Sequence, residues 1–164
     1  MSNILAPNGN YSSYEYAGLD GVFRPLIVTA ASTPQAMQIE KEDQTVRGNV
    51  RGALKKSQPL PTGSLTMLDI APTPTSYTPR QHVVEGLGGF NGTNSTLTLD
   101  VDTSDRLVTI KQTWNNTNLQ MPSYYVLWTG VDLMFPASPS EADSGNTLEV
   151  PIKIYGTLGQ PVFI

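Results

Sequence analysis

Hydrophobic and polar positions alternate for longer between residues 95 and 135 than anywhere else in the chain. Leu97, Leu99 and Val101 interleave with Thr96, Thr98 and Asp100, the period of two that puts one set of side chains on each face of a strand. Asp102-Thr103-Ser104-Asp105 carries short polar side chains suited to a turn, which returns the chain antiparallel through 107–114 and predicts a hairpin. After a polar loop at 115–122, residues 124–135 are apolar in both parities. Tyr125, Leu127, Val131, Leu133 and Phe135 fall in one set and Val126 and Trp128 in the other, which predicts a strand buried on both faces.

The flanks add shorter strands. Residues 22–30 form the first, and Pro25, which has no N–H for a ladder, predicts an edge position or a bulge. Leu65, Met67, Leu68 and Ile70 predict a deeply buried strand over 64–70, between proline-rich connectors at 58–61 and 71–79. A brief strand is expected at 81–85, followed by a flexible glycine-rich loop at 86–92. In 147–155, Leu148, Val150, Ile152 and Ile154 alternate with Glu149, Pro151, Lys153 and Tyr155, and Pro151 again suggests an edge. Only 40–56 has helical spacing, with Val46, Val50 and Leu54 four residues apart. Gly48 and Gly52 would each cost a helix about 1 kcal/mol, so a kinked extended segment or a loop reads equally well there.

Composition narrows the class. Thirteen prolines, fourteen glycines and 15% charged residues in 164 are poor in helix formers and rich in turn punctuation, so an all-β fold is expected. The reading is a single β-sandwich or jelly-roll domain over 22–164, preceded by an extended N-terminal arm at 1–21 whose Tyr11, Tyr14 and Tyr16 would lie on a partner. Val162, Phe163 and Ile164 close the chain with apolar groups, and Arg47 and Arg51 offer positive charge to an acidic neighbour; these residues complete the expected partner-contacting set. The formal charge of −4 argues against direct nucleic-acid binding, and no stretch reads as a membrane span or a secretion signal. The lack of cysteine excludes disulfides and thiolate metal sites.

No reactive constellation assembles, and no enzyme, cofactor or metal site is expected. His82 is the one histidine, without a nucleophile motif beside it, and reads as structural or surface. Asp100, Asp102 and Asp105 resemble a calcium loop only superficially, because Asp105 stands where the turn glycine belongs and Lys111 where the bidentate glutamate belongs. The glycines of 86–92 lead into a strand pattern, so they lack the helix N-terminus of a phosphate cradle. Asn10, Asn91, Asn94 and Asn115 match the glycosylation pattern but fit turns as well. Trp114, beside the polar loop 115–120, is the one residue placed to act as a sugar-stacking platform, which keeps a carbohydrate-binding module or adhesin as an alternative of a different class.

The tyrosine-bearing segment 11–16, the low-charge Thr/Asn/Gly/Pro strands and turns of 86–135 and the closing strand TLEVPIKIY together resemble, in general character, the small β-rich structural proteins of tailed bacteriophages. The resemblance implies a virion protein, a head decoration (cement) subunit, that forms a homo-oligomer such as a trimer and bridges the major capsid protein with extended arms. It also allows a tail tube subunit, which normally includes a helix and a long inter-ring loop; residues 40–56 would supply either. The glycines in that segment and the edge-blunting prolines lean toward the closed oligomer, whereas the acidic balance suits a tube lumen that must not hold nucleic acid.

Overall fold

The computed structural model describes residues 12–32, 41–46, 50–55, 60–90, 107–115, 122–136 and 147–164, with only the backbone path described in 41–46 and 50–55. Among them run nine strands: β1 Ser12–Ala17, β2 Arg24–Ser32, β3 Lys41–Val46, β4 Val50–Lys55, β5 Thr62–Leu68, β6 Val108–Trp114, β7 Tyr124–Leu133, β8 Thr147–Ile154 and β9 Val162–Phe163. A single α-helix, α1 Pro79–Glu85, lies between β5 and β6, followed by a short 3₁₀ turn at Leu87–Gly89. The fold is all-β.

Six strands pair antiparallel in the order β6-β1-β2-β5-β8-β7, and β7 pairs back to β6, so the sheet closes into a barrel rather than splitting into the expected sandwich or jelly roll. Closure follows from β1. The segment expected to be a free arm runs between β2 and β6, with Tyr14 opposite Leu26 and Gln112, and Tyr16 opposite Arg24 and Ile110. The alternation Ser13-Tyr14-Glu15-Tyr16 has one apolar face, and both tyrosines turn it into the barrel, 8% and 1% exposed. The arm reading is therefore corrected for residues 12–17; Tyr11 lies outside the described residues.

Interior positions follow the period of two in β5 (Leu65, Met67), β6 (Val108, Ile110) and β8 (Leu148, Val150, Ile152, Ile154). Ile70, expected to be buried, is exposed beyond the end of β5. In β7 the parity switches: Val108 faces Val131 while Ile110 faces Trp128, so β7 has one residue more than β6 between these pairs. Gly130 takes φ +62 at this bulge, the left-handed region open to glycine. The bulge lets even-numbered Trp128 and odd-numbered Val131, Leu133 and Phe135 all turn inward. Apolar residues in both parities thus reflect a kink, not a strand buried on both sides.

Neither proline marks an edge strand. β2 lies between β1 and β5, but its pairing with β5 begins only at Ile27, so Pro25 sits where β2 has one neighbour; the bulge in β2 falls between Val28 and Ala30. β8 lies between β5 and β7, and Met134 N–H donates to the Pro151 carbonyl at 3.0 Å where the β7–β8 ladder ends. Pro151 has no N–H to return that bond.

The expected strand at 81–85 is instead the last five of the seven residues of α1. Thr78 caps the helix, accepting from Gln81 N–H while the Gln81 side chain accepts from Thr78 N–H, Pro79 stands at its start, and Gly86 ends it in the left-handed conformation. Val46 and Val50, spaced as if on a helix, pair across the β3–β4 hairpin, which forms its own two-stranded sheet. The expected strand at 95–101 and its turn lie outside the described residues.

Because Tyr16 is interior and β1 bridges β2 and β6, we expect Tyr16→Ala to destabilise the chain by about 3–5 kcal/mol in urea unfolding followed by circular dichroism. A chain beginning at residue 18 should show no cooperative transition. Retention of one would mean that the barrel closes without β1.

Candidate interaction surface

Two features stand out on the barrel. The first is a free strand edge at β9. β9 pairs with β7 alone, Tyr124 opposite Phe163 and Tyr125 opposite Val162. Tyr124 stacks on Trp114 with ring centroids 5.0 Å apart and meets the Phe163 ring edge-on at 5.9 Å. The Trp114 indole thus has one face in use, and of the neighbouring polar loop residues 116–120 lie outside the described residues. Phe163 is nevertheless 67% exposed and Ile164 77%, with Val162 also exposed. Of the expected partner-contacting residues, these three are at the surface, whereas Tyr14 and Tyr16 are in the core. Arg47 lies outside the described residues, and Arg51 is on β4, in the separate two-stranded sheet. Among the described members of the set, Tyr14 and Tyr16 are not brought together with Val162, Phe163 and Ile164 at one surface.

The second feature is a cavity of about 290 Å³ lined by Tyr16, Arg24, Pro25, Pro72, Ser76, Tyr77, His82 and Gly88. It forms where β1, the start of β2, the connector after β5 and α1 converge, a juxtaposition that no local stretch of sequence signals. His82, 4% exposed, stacks on the fully buried Phe90 with centroids 5.4 Å apart and meets Tyr77 edge-on. Its Nδ1 lies 2.7 Å from the Tyr16 hydroxyl. Burial pushes the Tyr16 phenol up, well above its ordinary range, despite the opposing Arg24 charge, so the hydroxyl keeps its proton. A buried O–H must donate, and Nδ1 is its partner, which leaves the neutral imidazole with its proton on Nε2. Gly88, at φ +70, keeps the space beside Nε2 open: a Cβ there would stand 3.1 Å from Nε2 and 2.9 Å from the Tyr77 ring.

Arg24 is largely committed. Its guanidinium donates to both Asp20 carboxylate oxygens, at 2.6 and 3.3 Å, and to the Val22 carbonyl, and lies over the Phe90 ring. Partial burial pushes the Asp20 carboxyl up, but bonds from Arg24 and from Val22 N–H outweigh it and hold Asp20 below the usual carboxylate range. Asp69, one residue past the end of β5, accepts from Arg80 N–H at 3.0 Å and so ties the first turn of α1 to the barrel, while Arg80 donates to Glu85 at 2.5 Å within the helix itself.

Among the described residues no group of acidic, histidine or cysteine side chains is placed to hold a metal, and no helix is long and apolar enough to cross a membrane. Asp100, Asp102 and Asp105 lie outside the described residues. Among the described residues the arrangement is an all-β barrel with an open strand edge at β9 and an aromatic cavity. No known protein family matches the chain, and no curated protein matches it.

Burial, with the Arg24 charge adding to it, lowers the His82 pKa from 6.5 to about 4. The unfolded chain therefore takes up a proton at this site that the folded chain refuses. Stability from the neutral ring is complete above pH 6.5 and is lost as the pH falls toward 4, by up to about 3 kcal/mol. Urea midpoints for wild type and His82→Asn between pH 7 and 4 check this: the wild-type curve should fall more steeply, and parallel curves would refute it.

Proposed function

We propose that the chain is a non-enzymatic structural subunit of a tailed-bacteriophage virion that works by assembling with copies of itself, and that a tail tube subunit fits better than a head decoration protein. The observation that carries this reading is the β3–β4 hairpin, Lys41 paired to Lys55 through Val46 paired to Val50, which forms a two-stranded sheet separate from the barrel sheet. A two-stranded hairpin is marginally stable alone and is stabilised by packing against another surface. In a tube subunit an inter-ring loop receives that surface from the next ring. Helix α1 supplies the other element that the tube resemblance implies, and the formal charge of −4 suits a lumen that must release nucleic acid. The non-enzymatic part rests on His82, whose Nδ1 is held by Tyr16 and whose ring is stacked on Phe90, while the hydroxyl of Ser76, which also lines the cavity, is bonded to Thr73 rather than to the imidazole.

Electron microscopy of the purified protein at high concentration tests the reading. Long hollow polymers are expected, small closed particles would favour decoration, and a monomer at every concentration would remove both. Replacing 41–55 by a short Gly-Ser linker should leave the barrel's melting transition in place and abolish stacking while rings persist.

A further inference from the structure

The open edge and the cavity answer each other. Ile164 N–H donates to the Ser123 carbonyl at 2.9 Å, which makes 164 and 123 a hydrogen-bonded pair of the antiparallel ladder. Such pairs alternate with pairs whose amides point away from the partner strand, so Phe163, opposite Tyr124, turns its own N–H and C=O toward the free side of β9. Phe163 therefore presents an exposed ring and a backbone carbonyl together. The cavity offers the complement: ring and proline walls from Tyr16, Tyr77, Pro25 and Pro72, and polar groups from Arg24, Ser76 and His82. Arg24 donates to Asp20 and Val22 and Ser76 to Thr73, whereas His82, 4% exposed, bonds through its side chain only to Tyr16 and keeps Nε2–H for a further acceptor. Its volume of about 290 Å³ exceeds the roughly 150 Å³ that admits a benzene ring. An apolar ring alone would leave Nε2–H unmet, whereas a ring carried on a strand edge brings an acceptor. Within one chain the two cannot meet, because pairing with Tyr124 holds Phe163 in β9 and it is not among the cavity's lining residues.

We propose that Phe163 of one copy inserts into the Tyr16–Tyr77–His82 cavity of a second copy, with its carbonyl accepting from His82 Nε2–H. The contact joins different patches on the two subunits, so it is heterologous and propagates into a ring or an open polymer. This inference rests on the self-assembly reading and names its contact.

Two variants with intact folds test it. Phe163→Ala removes an exposed ring, and Pro72→Trp fills the cavity from an exposed connector residue. By sedimentation velocity each should weaken self-association at least tenfold with an unchanged thermal melt. Mixed together they should form a complex that stops at one to one, because the cavity of Phe163→Ala accepts the ring of Pro72→Trp and neither can extend further. Variants that assemble as well as wild type would overturn the contact and leave the assembly reading standing. Two impaired variants whose mixture stays dissociated would also overturn it. A monomeric wild type would sink the assembly reading and the contact with it.

Discussion

The double pairing of β6, to β1 on one side and to β7 on the other, closes the sheet, and the other features of the molecule depend on that closure. An open sheet of six strands would have two long edges with unmet amides, and closing it removes both. It also creates an interior narrow enough that one set of side chains fills it. Trp128 meets Tyr14 edge-on at 6.2 Å, and Leu65, Met67, Ile110, Val131, Leu133 and Ile152 share the same core. Once the barrel is shut, the described residues still leave a free strand edge at β9, two residues long. Where the strands stop near Tyr16, the chain covers the interior with α1 and Phe90, and the cavity forms along that seam.

The sequence carried most of the strands because their burial is one-sided. In 147–154 the apolar residues are those that face inward, and nothing interrupts the period. Tyr14 and Tyr16 show the limit of that argument. Their alternation with Ser13 and Glu15 is a strand signal, but tyrosine suits a core or a partner surface equally, and only β2 and β6, distant in sequence, decide between them. In β7 a period count fails because Gly130 shifts the phase in mid-strand. For α1 the missed signal was local: Thr78-Pro79 followed by Gln81 three residues after the cap, with Gly86 beyond, is a helix start and stop around a segment too short to show helical periodicity. Glycine content was the better guide at 41–55, where a four-residue spacing of valines came from the two arms of a hairpin.

The cavity was not legible in the sequence. Its walls come from five stretches, and two of its properties are non-local in origin: the tautomer of His82 is set by a tyrosine 66 residues away, and the opening beside Nε2 depends on the conformation of Gly88. The open edge was partly legible, since three successive apolar residues, Val162, Phe163 and Ile164, mark a surface suited to a contact. That Phe163 rather than Val162 turns its amide outward depends on register, which apolar composition does not fix.

Two polar pairs inside the barrel bear on how that register is chosen. Gln112 donates to the Tyr14 hydroxyl at 2.8 Å, and the Tyr16 hydroxyl donates to His82 at 2.7 Å. Each is a buried bond between distant segments, so each contributes little net stability while made and costs about 1–3 kcal/mol when one partner is left unmet. A slip of β1 by one residue would turn both tyrosines outward. A slip by two would keep the hydrophobic face inward but would separate at least one hydroxyl from its partner. Hydrophobic burial thus selects which face of β1 points inward and disfavours a slip by two, which would replace one interior tyrosine by Ser12 or Gly18, and the two hydrogen bonds reinforce the register. Because β1 joins β2 to β6, that choice fixes where the barrel closes, and with it the seam at which His82 meets the cavity.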